Sequence, residues 1–109
     1  MSIEVPTPVA EFVNAINAAD TDAFVALFAP DGFVDDWGST YPGPDGVRRW
    51  AGSDAIGAGA SMTLLSARTD GDTTTVRFDW RSRVFTGQST GIFVVRDGRL
   101  VSFTIPPEH

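Results

Sequence analysis

Cysteine and lysine are both missing from this 109-residue sequence, and its single histidine is the last residue, His109. Without cysteine there is no disulfide framework and no thiolate metal site, the usage expected of a cytoplasmic protein. One terminal histidine, with no HExxH-like spacing, argues against a transition-metal site and against a catalytic role for His109. Long apolar runs are lacking too: none approaches the roughly 18–20 residues that cross a bilayer. The opening MSIEVPTP has no basic region followed by an apolar stretch, so no signal peptide is expected. Positive charge is scarce, with eight arginines against fourteen acids and a formal net charge of −6. Such a surface repels phosphate, so neither nucleic acid nor an anionic membrane is an expected partner. Asp70-Gly71-Asp72 has the start of a calcium loop but not its other ligands or distal Glu, and reads as a turn. The glycines between positions 52 and 59 follow no strand, so they are no phosphate cradle. No metal and no cofactor is therefore expected.

What is present describes a folded globule: 42% hydrophobic residues, with eight Phe and three Trp. No repeat or low-complexity stretch divides residues 1–109, which read as one domain with its core at about 8–105. Thr7 as cap and Pro8 at the first helical position open a helix with Val9, Phe12, Val13 and Ile16 on one face. Asp20 caps a second helix, favoured by Asp22 in its first turn. Phe24, Val25, Leu27 and Phe28 form its apolar face, and Pro30 stops it. Phe33 to Trp37 reads as a short strand between Gly32 and Gly38, and Ser39 to Pro44 as a loop. A third helix over about 44–57 carries Val47, Trp50 and Ala51. It is expected to be short or frayed, because Gly46, Gly52, Gly57 and Gly59 each cost a helix interior roughly 1 kcal/mol.

From Ala60 the period changes to alternation. Strands are expected at Met62–Arg68, at Thr74 to about Val84, at Ile92–Arg96 and at Leu100–Ile105, with Thr86–Gly91 as a loop. Asp70-Gly71-Asp72 and Asp97-Gly98 are the tight turns. Val76, Phe78 and Trp80 alternate with Arg77, Asp79 and Arg81, which are expected to form cross-strand ion pairs away from any pocket. Helices first and antiparallel hairpins after make an α+β fold, a curved sheet with helices on one face. The IFVVR strand is apolar on both faces, which fits either a central buried strand or a homodimer through the sheet.

Three segments in order, FVNAINAADTDAFVALFAPDGFVDD, YPGPDGVRRW and FVVRDGRLVSFTI, resemble the nuclear transport factor 2-like superfamily in its SnoaL-like branch. The resemblance spans about 8–105. It implies a cystatin-like, conical α+β barrel: three N-terminal helices in a strongly curved, mainly antiparallel sheet, with an apolar cavity and usually a dimer. That superfamily holds isomerases, cyclases, epoxide hydrolases, dehydratases, adaptors and binding domains, so the cavity residues must decide function.

Asp36 is the candidate catalytic residue. It ends the first strand on the face of Val34, and the resemblance to ketosteroid isomerases places their general base on it. A carboxylate in an apolar pocket gains basicity and can take a proton beside a carbonyl. The competing reading is a strand-end acid that caps loop N–H groups or pairs with Arg48 or Arg49. The isomerases' two oxyanion donors fall on Phe12 and at or beside Gly91, which cannot donate. Each such loss costs on the order of 100-fold, so steroid isomerisation is not expected and acid-only, cyclase-like chemistry survives. Tyr41, Trp37, Trp50, Trp80 and Phe12 are candidate substrate-binding residues, with plain core packing as the alternative. The expectation is a small hydrophobic carbonyl ligand worked on by Asp36. A non-catalytic binding module and a dimeric interaction module are its rivals.

Overall fold

The computed structural model describes residues 3–107. Glu108 and His109, expected to trail beyond the last strand, lie outside those residues. Helix α1 spans Thr7–Asn17 and buries Val9, Phe12 and Ile16. Thr7 is its first residue rather than its cap: Pro6 sits at the cap without a side-chain bond, and its carbonyl accepts from the N–H groups of Val9 and Ala10. Helix α2, Thr21–Ala26, starts on Asp20, whose carboxylate accepts the Ala23 N–H at 3.1 Å.

That helix closes earlier than expected. Leu27 is its C-cap and Phe28 already belongs to strand β1, Phe28–Asp36. The last strand, β6 (Arg99–Ile105), draws these residues in: Leu100 donates its N–H to the Leu27 carbonyl at 2.9 Å and pairs with Phe28. Pro30 is tolerated because the β1–β6 register breaks between Phe28 and Phe33, where no ladder N–H is demanded of it. The supposed loop after Gly38 is a strand as well. Strand β2, Ser39–Pro42, returns antiparallel to β1 across a two-residue turn. Trp37 and Gly38 hold φ values of 53° and 89° there, the paired positive φ that matches strand twist.

Helix α3 runs a full Gly43–Asp54, followed by a 3₁₀ turn at Ile56–Ala58. It does not fray, because Val47, Trp50 and Ala51 anchor one face in the core. Gly46 is required rather than costly: a Cβ there would lie 2.5 Å from the Tyr41 backbone carbonyl carbon. Gly57 and Gly59 fall beyond the helix. Strands β3 (Ser61–Asp70), β4 (Thr73–Arg81) and β5 (Thr86–Arg96) complete a six-stranded sheet ordered β2-β1-β6-β5-β4-β3. Among the described residues only the β1–β6 pair is parallel.

Strand β4 ends short of Val84, because Ser82–Phe85 close into a loop around the Ser82 hydroxyl. That hydroxyl accepts from the N–H groups of Val84 and Phe85. Strand β5 absorbs the stretch 86–91, which was expected to be a loop. The result is an α+β fold whose helices cover one face of a curved sheet. Val76, Phe78, Phe93 and Phe103 meet Phe12, Ile16 and Trp50 across the layer. Asp79 bonds Arg81 on its own strand at 3.3 Å rather than across strands, and Arg77 reaches the Thr90 hydroxyl on β5. On the outer face of β5, Ile92 and Val94 are half-buried. No helix among the described residues is long and apolar enough to cross a membrane.

Candidate functional site

Two strand pairings and one helix bring the site together. Asp36 is the last residue of β1, fixed by its register with Ile105 on β6 and with Ser39 on β2. Opposite it, α3 presents Trp50, whose indole Nε1–H donates to Asp36 Oδ2 at 3.1 Å. The indole cannot swing away: it is 1% exposed, stacks on Phe24 at 5.9 Å and meets Trp80 at 6.1 Å. One turn further along α3, the i+4 position places Asp54 on the same face. Together these residues border a cavity of about 430 Å³. Phe78 and Trp80 of β4, Ser89 of β5 and Ile105 of β6 form its floor. Trp37, Val84 and Phe85 stand at the mouth, 54%, 62% and 48% exposed.

Trp37 is a bulky residue at positive φ, an uncommon conformation costing on the order of 1 kcal/mol. The turn holds it there while its N–H donates to the Ile105 carbonyl at 2.9 Å. Burial pushes the Asp36 carboxyl above its ordinary value of 3.8. The Trp50 N–H opposes that rise, whereas Asp54, by charge and by a side-chain hydrogen bond, and the charge of Asp35 add to it. A carboxyl so placed takes and returns protons closer to neutrality than a solvated one. No arginine, lysine or histidine lines the cavity among the described residues, and no group of three or more His, Cys, Asp or Glu among them could hold a metal ion.

The family model for the SnoaL-like domain matches residues 9–103. The chain belongs to that family, within the nuclear transport factor 2-like superfamily. A proposed polyketide cyclase from Sinorhizobium meliloti is 30% identical, with a TM-score of 0.85 over 93% of this chain and 94% of its own. A ketosteroid isomerase-like protein from Catenulispora acidiphila, solved with trimethylamine, is 21% identical, with a TM-score of 0.81 over 96% and 88%. A nuclear transport factor 2-like protein of unknown function from Cytophaga hutchinsonii, at 14% identity and a TM-score of 0.80 over 96% and 90%, shares the fold. No curated protein matches the chain.

Of the residues singled out in the sequence, this SnoaL-like domain brings Asp36, Trp37, Trp50 and Trp80 to one cavity. Phe12 and Tyr41 lie elsewhere. Phe12 is fully buried among Phe24, Phe93 and Phe103, with ring centroids 4.9, 4.9 and 4.7 Å away. Tyr41 sits on β2 with the Arg49 guanidinium over its ring at 5.6 Å. Neither Arg48 nor Arg49 partners Asp36, since Arg48 bonds Asp22 of α2 at 3.1 Å. At Gly91, at or beside which the resemblance puts the isomerases' acid, a Cβ would lie 2.7 Å from Phe103 Cε1, so the phenyl rings have taken that space. Asp54, Ser89, Val84 and Phe85 went unread in the sequence. The i+4 spacing of Trp50 and Asp54 was the available signal, and it gains meaning only once Trp50 is known to reach Asp36.

Proposed function

We propose that this SnoaL-like domain binds a small hydrophobic carbonyl compound in the Asp36 cavity, with Asp36 as the acid/base of an isomerase- or cyclase-type reaction. The observation that carries this reading is one carboxyl, oriented by the Trp50 indole N–H, on the wall of an aromatic hollow. The ionised carboxylate takes a proton from the carbon beside the carbonyl, and the resulting acid returns it at a second carbon or oxygen. Atoms balance with no redox partner. Phe78, Trp80 and Ile105 give the enolate formed in between an apolar wall. The 30% identity to a proposed polyketide cyclase supports the same class.

The test is proton exchange into hydrophobic β-diketones in heavy water, followed by NMR with the parent chain and Asp36→Asn. The variant retains an oxygen for the Trp50 N–H, so fold and ligand binding persist while exchange falls by about 100-fold or more. Equal exchange in both removes Asp36 from the chemistry. If only affinity shifts and no substrate turns over, the domain is a non-catalytic binder. The half-buried Ile92 and Val94 on the outer face of β5 support a homodimer through the sheet as part of this reading. A monomeric mass by light scattering at assay concentration removes that part.

A further inference from the structure

We propose that the cavity selects an organic cation, a compound whose ammonium group sits between Asp36 and Asp54 while its apolar remainder packs on the surrounding rings. This deepens, and rests on, the reading of the cavity as a ligand site. Two carboxyls from separate elements, the end of β1 and the last turn of α3, border one hollow, and no basic side chain lines it. Nearby arginines do not neutralise the pair. Arg48 is engaged with Asp22, and Arg49 lies over Tyr41. Arg83 donates to the Gly57 carbonyl. Two carboxyls left facing each other in a partly desolvated site repel unless a proton or a cation lies between them.

The walls suit the second occupant. Trp37, Trp50, Trp80 and Phe85 supply aromatic surface to the same hollow, and rings attract an alkylammonium through their quadrupoles. An independent observation also points to a ligand. Ser89 is only 4% exposed and borders the cavity, so the surface its side chain keeps opens onto the hollow. A hydroxyl on the wall of the hollow can donate to, or accept from, a polar atom on a bound molecule. Ammonium, apolar body and one hydrogen-bonding atom together describe an amine-bearing substrate. Under the proposed chemistry, that substrate is an amino-carbonyl compound.

The experiment compares phenethylamine, protonated at neutral pH, with phenethyl alcohol, its neutral counterpart of the same shape. Affinities are read by tryptophan fluorescence and calorimetry on the intact chain, in moderate salt. The amine is expected to bind on the order of tenfold more tightly, the difference that one charge-assisted contact makes. Asp54→Asn should shrink that ratio, and Asp36→Asn combined with Asp54→Asn should bring it to about one while alcohol affinity holds. Circular dichroism on each variant separates lost charge from lost fold. Equal affinities in the parent overturn the cation reading and leave the apolar-pocket reading intact. A preference that survives the double substitution also overturns it, since the overall charge of −6 would then account for it. Binding of neither compound overturns this inference together with the ligand-site reading beneath it.

Discussion

The helix-facing side of the sheet has two ends built from similar residues, and they come out differently. Around Phe12, which is fully buried, the rings of Phe24, Phe28, Phe93 and Phe103 close up with centroids 4.7 to 6.4 Å away. Around Trp50, Phe78 and Trp80, equally large rings surround a hollow instead. The difference lies in what faces them. At the closed end every opposing residue is apolar and can advance until the rings touch. At the open end the Asp36 and Asp54 carboxyls stand opposite, and the Ser89 hydroxyl lies beside Phe78 on the sheet. Desolvating them against phenyl rings would cost more than the dispersion gained. Polar groups at one end of an aromatic core thus act as spacers, and the cavity is their consequence.

Phenylalanine removed from each end is the strongest way to break that contrast. Phe12→Ala should cost about 3–5 kcal/mol, because the rings locked around it cannot collapse into the void. Phe85→Ala, at the mouth, should cost about 0.5 kcal/mol or less, as is usual for a side chain already half in water. Chemical denaturation of both variants measures the difference. Similar losses would mean that the mouth is packed as tightly as the core, and the two-ended description would fail.

The same division marks how far the sequence was legible. Helical and alternating apolar periods located α1, α2, β4 and β6, because burial on one face is what generates those patterns. Aspartate–glycine pairs located the β3–β4 and β5–β6 turns through their need for positive φ. Pattern misleads where tertiary packing or strand pairing overrides it. Stretch 86–91 looked like a loop because its inward residues, Ser89 and Gly91, are polar or absent. One faces the hollow, and the other yields its space to Phe103 and Phe78. Leu27 and Phe28 looked helical until β6 claimed them through Leu100. Asp36 was visible as an acid ending a strand. Asp54 was not, since nothing local separates it from a solvated acid at a helix end.

A subtler difference between the ends should appear in their response to pH. Nothing titrates among the phenylalanines, whereas Asp36 is held above its ordinary 3.8, chiefly by burial and further by Asp54 and Asp35. An acid with a raised value binds its proton more tightly in the folded chain than in the unfolded one. Ionising it therefore destabilises the fold: the cost is absent below 3.8, grows as pH rises through the folded value, and is complete above it. Asp36→Asn removes the ionisable group while preserving an acceptor for the Trp50 N–H. The variant should accordingly melt at a higher temperature than the parent at neutral pH, by a small margin, and the margin should vanish in acid. The two chains differ at residue 36 alone, so the difference between their melting curves reports that substitution. A margin unchanged from neutral pH into acid would assign it to packing rather than to charge. No margin at neutral pH would mean that water already solvates the Asp36 carboxylate and that the open end is ordinary surface. A margin that closes with acid marks a group kept at a cost to stability, the pattern of a residue retained for what it does to a ligand.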